Sequence, residues 1–225
     1  MISVIIPALN EEKALPETLC QLLRQAGVYE VIVVDGGSGD RTREIVLAEP
    51  RVRLLTAPRG RASQMNAGTK EAKGEWLLFL HADTRLPEDA LVRLNAMERD
   101  PAIQAGGFLH RFSGGDWRLR LVSCFDNFRC RRTRIIYGDQ AMFVRRELFV
   151  RLGGFPDQPI LEDVAFCEKL IQVTTPVLLA PPVLTDSRKF VKMGIWRSLA
   201  RVLLIILCVE FRLPIFPQAF FQDIR

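Results

Sequence analysis

The chain has 225 residues, 31 Lys+Arg against 26 Asp+Glu for a formal charge of +5, and is 48% hydrophobic and 25% charged. That is one large domain with an appendage at an ordinary globular balance, which excludes a disordered or fibrous chain. The five cysteines (Cys20, Cys124, Cys130, Cys167, Cys208) are odd in number and never spaced CxxC, which argues against a disulfide framework or a cysteine-built zinc site and for reduced cytosolic thiols.

In chain order, MISVIIPALNEE lacks a basic leader and a small-residue cleavage motif, so ISVII (from Ile2) reads as a buried strand rather than a secretory signal. Asn10 then caps an amphipathic helix reaching about residue 26. VIVV, from Val31, runs into DGGSGD and a short helix to about residue 48, and VRLL, a helix from about Arg61 and WLLFL from Trp76 follow. All-apolar strands separated by helices predict an α/β fold with a mostly parallel sheet covered on both faces, and a ligand site at the carboxyl ends of the strands. In the second half, GGFLHRF and AMFV are strands and DVAFCEKLIQV is a helix. VLLA is a short strand ending at the linker-like Pro181-Pro182. From about Ile195 an apolar-rich helix runs towards Pro214, where it must stop. Its longest apolar run, 202–209, is far short of the roughly 18–20 residues that span a bilayer.

Polar clusters follow the strands: PALNEE (7–12), Asp35 with GGSGD, the stretch APRGRASQMNAG (57–68), HADT with His81 and Asp83, and the pair Glu162-Asp163. A carboxylate closing an aliphatic strand, as Asp35 does, accepts hydrogen bonds from a ribose or a base, although it also suits a capped turn. Asp40, nearer the helix start, reads as a cap. Carboxylate and imidazole in His81-x-Asp83 suit Mn²⁺ or Mg²⁺, against the plainer reading of a loop carboxylate capping the next helix. Glu162-Asp163 open a helix, where the dipole favours them, and one of two such carboxylates can cap while the other faces a cleft as general base.

Taken together, SVIIPALNEE, VIVVDGGSGDRT, GRASQMNAG, AKGEWLLFLHADT, GDQAMFVRRELFVRLGGF and LEDVAFCEKL resemble family 2 glycosyltransferases of the GT-A fold. The resemblance is nearest to a compact bacterial branch with an HADT metal motif that is often linked to radical-SAM enzymes. It covers about residues 1–190, leaving 191–225 as an apolar helical tail. It implies a nucleotide-diphospho-sugar donor, usually UDP-linked, a divalent metal (Mn²⁺ or Mg²⁺), and inversion at the anomeric carbon on transfer to an acceptor hydroxyl. Pro7, Asn10 and Glu11 match the nucleotide loop, Asp35 the base-reading aspartate, and Arg59 and Arg61 the basic residues near the nucleotide. Asp83 matches the last aspartate of the DxD metal motif, with His81 standing where many relatives carry the first. Asp163 matches the catalytic base, with Glu162 beside it. Gly138, Asp139, Gln140 and Gly154 fall in segments lining the acceptor side. Arg188, in SRKF, reads either as a clamp on the diphosphate or as a solvated surface arginine.

The segment WRLRLVSCFDNFRCRRTR sets Arg118, Arg120, Arg129, Arg131, Arg132 and Arg134 against Asp116 and Asp126, interleaved with Trp117, Phe125 and Phe128. A basic amphipathic helix of this kind reads as membrane-surface or polyanion binding. Residues 116–134 and 195–213 are therefore candidate contacts with the inner face of the cell membrane, in a cytoplasmic protein whose acceptor is either lipid or otherwise apolar, or small and soluble. The competing reading of the apolar tail is packing on its own domain or in a homodimer. Nucleic acid is not an expected partner, because no reader motif accompanies the basic cluster. Among other functions, a dehydrogenase would need GxGxxG where PALNEE stands, and a nucleotidyltransferase a Gly-rich basic loop. A catalytically silent nucleotide-sugar binder is the remaining alternative, opposed by the presence of Asp83 and Asp163.

Overall fold

The computed structural model of the chain describes residues 1–158, 160–192, 194 and 196. Eight strands, β1 (Ile2–Ala8), β2 (Tyr29–Asp35), β3 (Val52–Thr56), β4 (Trp76–Phe79), β5 (Thr84–Arg85), β6 (Ala105–Phe112), β7 (Phe143–Arg145) and β8 (Val177–Thr185), form one sheet in the order β3-β2-β1-β4-β7-β6-β8-β5. The first half of the sheet is parallel (β3-β2-β1-β4), and β7 enters antiparallel between β4 and β6. This is the α/β arrangement with a mostly parallel sheet expected from the alternating pattern, and it agrees with the GT-A fold that the motif resemblance implies.

The strands are apolar throughout because both faces are covered. On one face Val4, Ile6, Val31, Val33, Trp76 and Leu78 meet α1 (Leu15–Leu22) and α4 (Ala90–Met97). On the other, Ile5, Ile32, Val34, Leu77 and Phe79 meet α3 (Arg61–Glu71), α6 (Arg146–Arg151) and α7 (Glu162–Leu170). Between them α2 (Thr42–Leu47) follows β2, and α5 (Trp117–Thr133) follows β6. The second core layer contains a four-ring cluster, Phe79, Phe149, Phe155 and Phe166, with centroids as close as 4.8 Å. At about 1.5–3 kcal/mol for each buried aromatic side chain, this packing holds the start of α7 to the end of β4.

Two local expectations are corrected. Asn10 does not cap α1, whose N-cap is Ala14. Instead Asn10 takes a left-handed backbone (φ 56°), accepts the Gly39 N–H at 2.8 Å and donates its own N–H to the Ser38 hydroxyl, tying the β1 and β2 loops together. Asparagine is among the residues that tolerate this conformation. Nor do Pro181 and Pro182 form a linker, because β8 runs through them. The register against β6 jumps from Phe108–Leu179 to His110–Val183, and residues 180–182 occupy the resulting bulge, where prolines break no ladder bond. The tail helix expected from about Ile195 lies almost wholly outside the described residues, and no described helix is long and apolar enough to cross a membrane.

Candidate active site

The carboxyl ends of β1 and β4 and the start of α3 enclose a cleft of about 160 Å³ lined by Pro7, Ala8, Leu9, Glu11, Arg59, Gly60, Arg61, Gln64, His81, Ala82 and Asp83. Six residues singled out from the sequence (Pro7, Glu11, Arg59, Arg61, His81 and Asp83) therefore share one wall. Gln64 was not among them. It is buried on α3 and donates to the carbonyls of Ala8 and Val34 at 2.8 and 2.7 Å, pinning the helix to the ends of β1 and β2. Its polar character inside GRASQMNAG was the available signal. Gly68, one turn further, allows the approach, since a Cβ there would lie 2.6 Å from Ile5 Cγ2. The packing aims the N-terminus of α3, with Arg59 and Arg61, into the cleft, where unpaired helix N–H groups and two guanidiniums suit a diphosphate.

Asp35 lies just behind this wall. It is fully buried and accepts the N–H groups of Gly37 and Ser38 at 3.1 Å each, so its carboxylate faces its own turn. Asp40 accepts from Thr42 and from the Glu12 N–H, joining the start of α2 to the PALNEE loop, but it is not the N-cap read from the sequence: that position is Arg41, which makes no side-chain cap bond.

The HADT loop is held from several sides. Thr18 donates to the Ala82 carbonyl at 2.7 Å, and the Asp186 N–H donates to the Asp83 carbonyl at 2.9 Å. The second bond brings Arg188, at the head of α8 (Arg188–Lys192), alongside the loop. The Arg188 guanidinium is paired with Asp186 at 2.5 Å and half exposed. Its charged form is stabilised first by that hydrogen bond, with Asp83 among the further acidic neighbours.

Glu162 and Asp163, both buried, approach the cleft from α7. Arg61 lies 3.6 Å from Glu162, linking the heads of α3 and α7. Asp163 accepts the Gly138 N–H at 2.6 Å and the Val164 N–H at 2.8 Å. Gly138 is the meeting point. A Cβ built there would fall 2.5 Å from His81 Nε2 and 3.5 Å from an Asp163 carboxylate oxygen. His81 of the HADT motif and Asp163 of the acidic pair thus meet at one glycine. An imidazole and a carboxylate opening on a single cleft are donors of the kind Mn²⁺ accepts, so His81 and Asp83 fit the metal that the DxD-like motif implies.

The other residues expected on the acceptor side divide. Gln140 is buried, bonded to the Tyr137 N–H and the Phe108 carbonyl, and holds the 138–140 turn. Asp139, on the same turn, points towards His110 on β6, with Oδ2 3.6 Å from Nε2. Burial pushes its carboxyl up to about 6 despite the opposing pull of His110. Gly154 (φ 68°) stands at the junction of α6 and α3, where Asn66 exchanges hydrogen bonds with Phe155.

Residues 3–155 match Glycosyl transferase family 2. A PGL/p-HBAD biosynthesis glycosyltransferase of Mycobacterium bovis (strain BCG / Pasteur 1173P2) is 37% identical over 166 residues, covering 69% of this chain and 63% of the relative. The chain thus spans less than two thirds of that protein. An undecaprenyl-phosphate 4-deoxy-4-formamido-L-arabinose transferase of Yersinia pestis (strain Pestoides F) is 33% identical over 106 residues, 41% of this chain and 32% of the relative. The solved mannosyltransferase PcManGT from Pyrobaculum calidifontis, in complex with GDP-Man and Mn²⁺, superposes with a TM-score of 0.63 at 26% identity, over 82% of this chain and 56% of that one. With the family match covering more than half its length, the chain belongs to glycosyl transferase family 2.

Proposed function

We propose that the protein is an inverting, metal-dependent glycosyltransferase that moves a sugar from a nucleotide diphosphate, UDP in the first instance, to an acceptor hydroxyl. The observation that carries the reading is the meeting of His81 and Asp163 at Gly138, with His81 and Asp83 both lining a cleft that bears Arg59 and Arg61. Pro7 and Glu11 form the wall against which the nucleoside packs, and Asp35 stiffens the neighbouring turn. Arg59, Arg61 and the head of α3 bind the diphosphate, with Arg188 placed to close over it. His81 and Asp83 would hold the divalent ion, which supplies Lewis-acid stabilisation of the departing diphosphate when bound. Asp163 takes the proton of the acceptor hydroxyl as its oxygen bonds to the anomeric carbon and the bond from that carbon to the diphosphate oxygen breaks. The Gly138 and Val164 N–H groups orient its carboxylate, while Glu162 keeps Arg61 in position. The similarity to a mannosyltransferase holding GDP-Man and Mn²⁺ supports the donor class and the ion, and leaves GDP as the competing base.

The acceptor is proposed to be lipid-linked and met at a membrane surface. On α5, Trp117, Leu121, Phe125 and Phe128 recur at helical spacing and are all exposed, whereas the Asp126–Arg129 ion pair (2.9 Å) is tucked inward. That is the reverse of a solvent-facing helix. Exposed Arg120, Arg131 and Arg132 flank the apolar stripe, as suits an anionic bilayer. The chain continues from this helix to Gly138, whose N–H bonds the Asp163 carboxylate. The similarity to an undecaprenyl-phosphate transferase supports the same acceptor class, and a peripheral place on the inner membrane face follows from it.

Calorimetric titration with UDP and GDP, with and without Mn²⁺, tests the donor site. UDP should bind about tenfold or more tightly with Mn²⁺, roughly 1.4 kcal/mol, and Asp83→Ala should remove that gain. Metal-assisted binding that survives in Asp83→Ala would contradict the ligand assignment.

A further inference from the structure

Beneath α5, and reaching the residue next to Gly138, three side chains that the proposed reaction does not use point at one another. His110 on β6 is 1% exposed, and neither ring nitrogen has a hydrogen-bond partner. Its Nδ1 lies 3.9 Å from Asp126 Oδ2, and its Nε2 lies 3.6 Å from Asp139 Oδ2. Asp126 Oδ2 and Asp139 Oδ1 are likewise buried without a hydrogen-bond partner. One donor atom from each of the three residues lies within 4.8 Å of the other two.

We propose that His110, Asp126 and Asp139 bind a divalent cation of the zinc or manganese type, at a site separate from His81 and Asp83.

The spacing decides between the two ways of joining these groups. Hydrogen bonds from an imidazole to a carboxylate would draw the atoms to about 2.7–3.2 Å, and both contacts are longer. One ion takes only one ring nitrogen. A tetrahedral site built on Nε2 keeps the 3.6 Å contact to Asp139, within the roughly 3.3–3.6 Å that separates ligands bonded at about 2.0–2.2 Å. Asp126, whose 3.9 Å contact is to Nδ1, joins by closing in from the 4.8 Å that bounds the three donor atoms. Charge points the same way. Two carboxylates share this pocket, and the neighbouring Arg129 guanidinium is bonded to the other oxygen of Asp126, at 2.9 Å, and stacked over Tyr137. Burial has already raised the Asp139 carboxyl, and a dication would relieve that cost. One imidazole and two carboxylates form a donor set of borderline hardness, suited to Zn²⁺ or Mn²⁺.

The surroundings have the form of outer support for metal ligands. Asn127 clamps the backbone of His110 through both its N–H and its carbonyl, at 2.8 and 2.9 Å, and the Phe112 ring packs edge-on at 4.5 Å. Arg129 fixes Asp126. The Asp139 side chain is 30% exposed, which gives an ion and a completing water a way in. The ion would join three elements, β6, α5 and the 138–140 turn, and so steady Gly138 against Asp163. That consequence for turnover rests on the proposed reaction, whereas the binding itself does not.

The test is titration of chelator-treated, nucleotide-free protein with Co²⁺, read by its visible absorption bands and by bound metal per chain. Asp83→Ala should retain one equivalent with imidazole-type spectral features. His110→Asn and Asp139→Asn should lose that equivalent, weakening affinity by more than about tenfold, while far-ultraviolet dichroism and UDP binding show both variants to be folded. Asp139→Asn keeps shape and volume, so the test survives if His110→Asn fails to fold. Two results would overturn the proposal: Co²⁺ uptake that vanishes in Asp83→Ala, or nitrogen-15 spectra showing His110 protonated on both nitrogens with Co²⁺ or Zn²⁺ in excess. The latter would describe an imidazolium held between two carboxylates.

Discussion

Gly138 sits between two side chains of opposite function, and its missing Cβ is what lets them meet. Its backbone is not in the left-handed region, so Gly138→Ala brings no conformational strain; it brings a methyl group 2.5 Å from His81 Nε2. The imidazole, at the end of a rotatable side chain, must swing aside. Displacements of about 1 Å at a reacting centre can cost on the order of a hundredfold in rate. Turnover of Gly138→Ala should fall by that order, with the melting temperature nearly unchanged, as measured by donor turnover and scanning calorimetry. Unaltered turnover would show that His81 need not stand where it does. At this scale the sequence was partly legible. Acid after β2 and HADT could be picked out because each follows an apolar run, and the Glu162-Asp163 pair because two adjacent carboxylates open a helical pattern. His110 could not, because a histidine inside GGFLHRF looks like a strand residue until the fold brings Asp126 and Asp139 to it. Asp35 shows the opposite difficulty: its type and place were plain, but not that its oxygens accept from Gly37 and Ser38.

Among the elements, α5 departs furthest from ordinary globular design. Its inward face carries Ser123, Asp126 and Arg129 beside Leu119, Val122 and Cys130, and its outward face carries Trp117, Leu121, Phe125 and Phe128. The sequence displayed the arginines and aromatics but not which face each would take, because helical periodicity fixes relative angles and only packing fixes the direction of the core. Replacing Phe125 and Phe128 together with serine should leave stability almost unchanged, since neither is packed. It should also sharply reduce co-sedimentation with phosphatidylglycerol vesicles. Phosphatidylcholine vesicles should capture even the unmodified protein weakly, because the arginines then lack a counter-charge. Equal capture by both lipids, or no effect of the double substitution, would remove α5 as the contact. A concentration-dependent dimer lost in the same variant would assign the face to a second copy instead. The Pro181-Pro182 stretch was misread for a related reason: prolines signal a break in the local pattern, and a bulge opposite β6 that absorbs them is a property of the pair of strands.

Across the whole molecule, the parallel half of the sheet was readable from composition alone, because strands buried on both faces have to be apolar at every position. The antiparallel insertion of β7 between β4 and β6 was not, since FVR is too short to declare a partner. That insertion shapes the site: it leads β7 back from the 138–140 turn and so places Gly138 beside both β4 and α7. The account stands or falls on Asp163 acting as base for an oxygen nucleophile, and this can be measured without knowing the acceptor. Slow hydrolysis of the bound sugar nucleotide uses water in place of the acceptor hydroxyl. In Asp163→Asn, calorimetry should show UDP and Mn²⁺ binding within about twofold of the unmodified protein, while hydrolysis falls by about 10²–10⁴-fold. Hydrolysis at a near-normal rate in that variant would contradict the assignment.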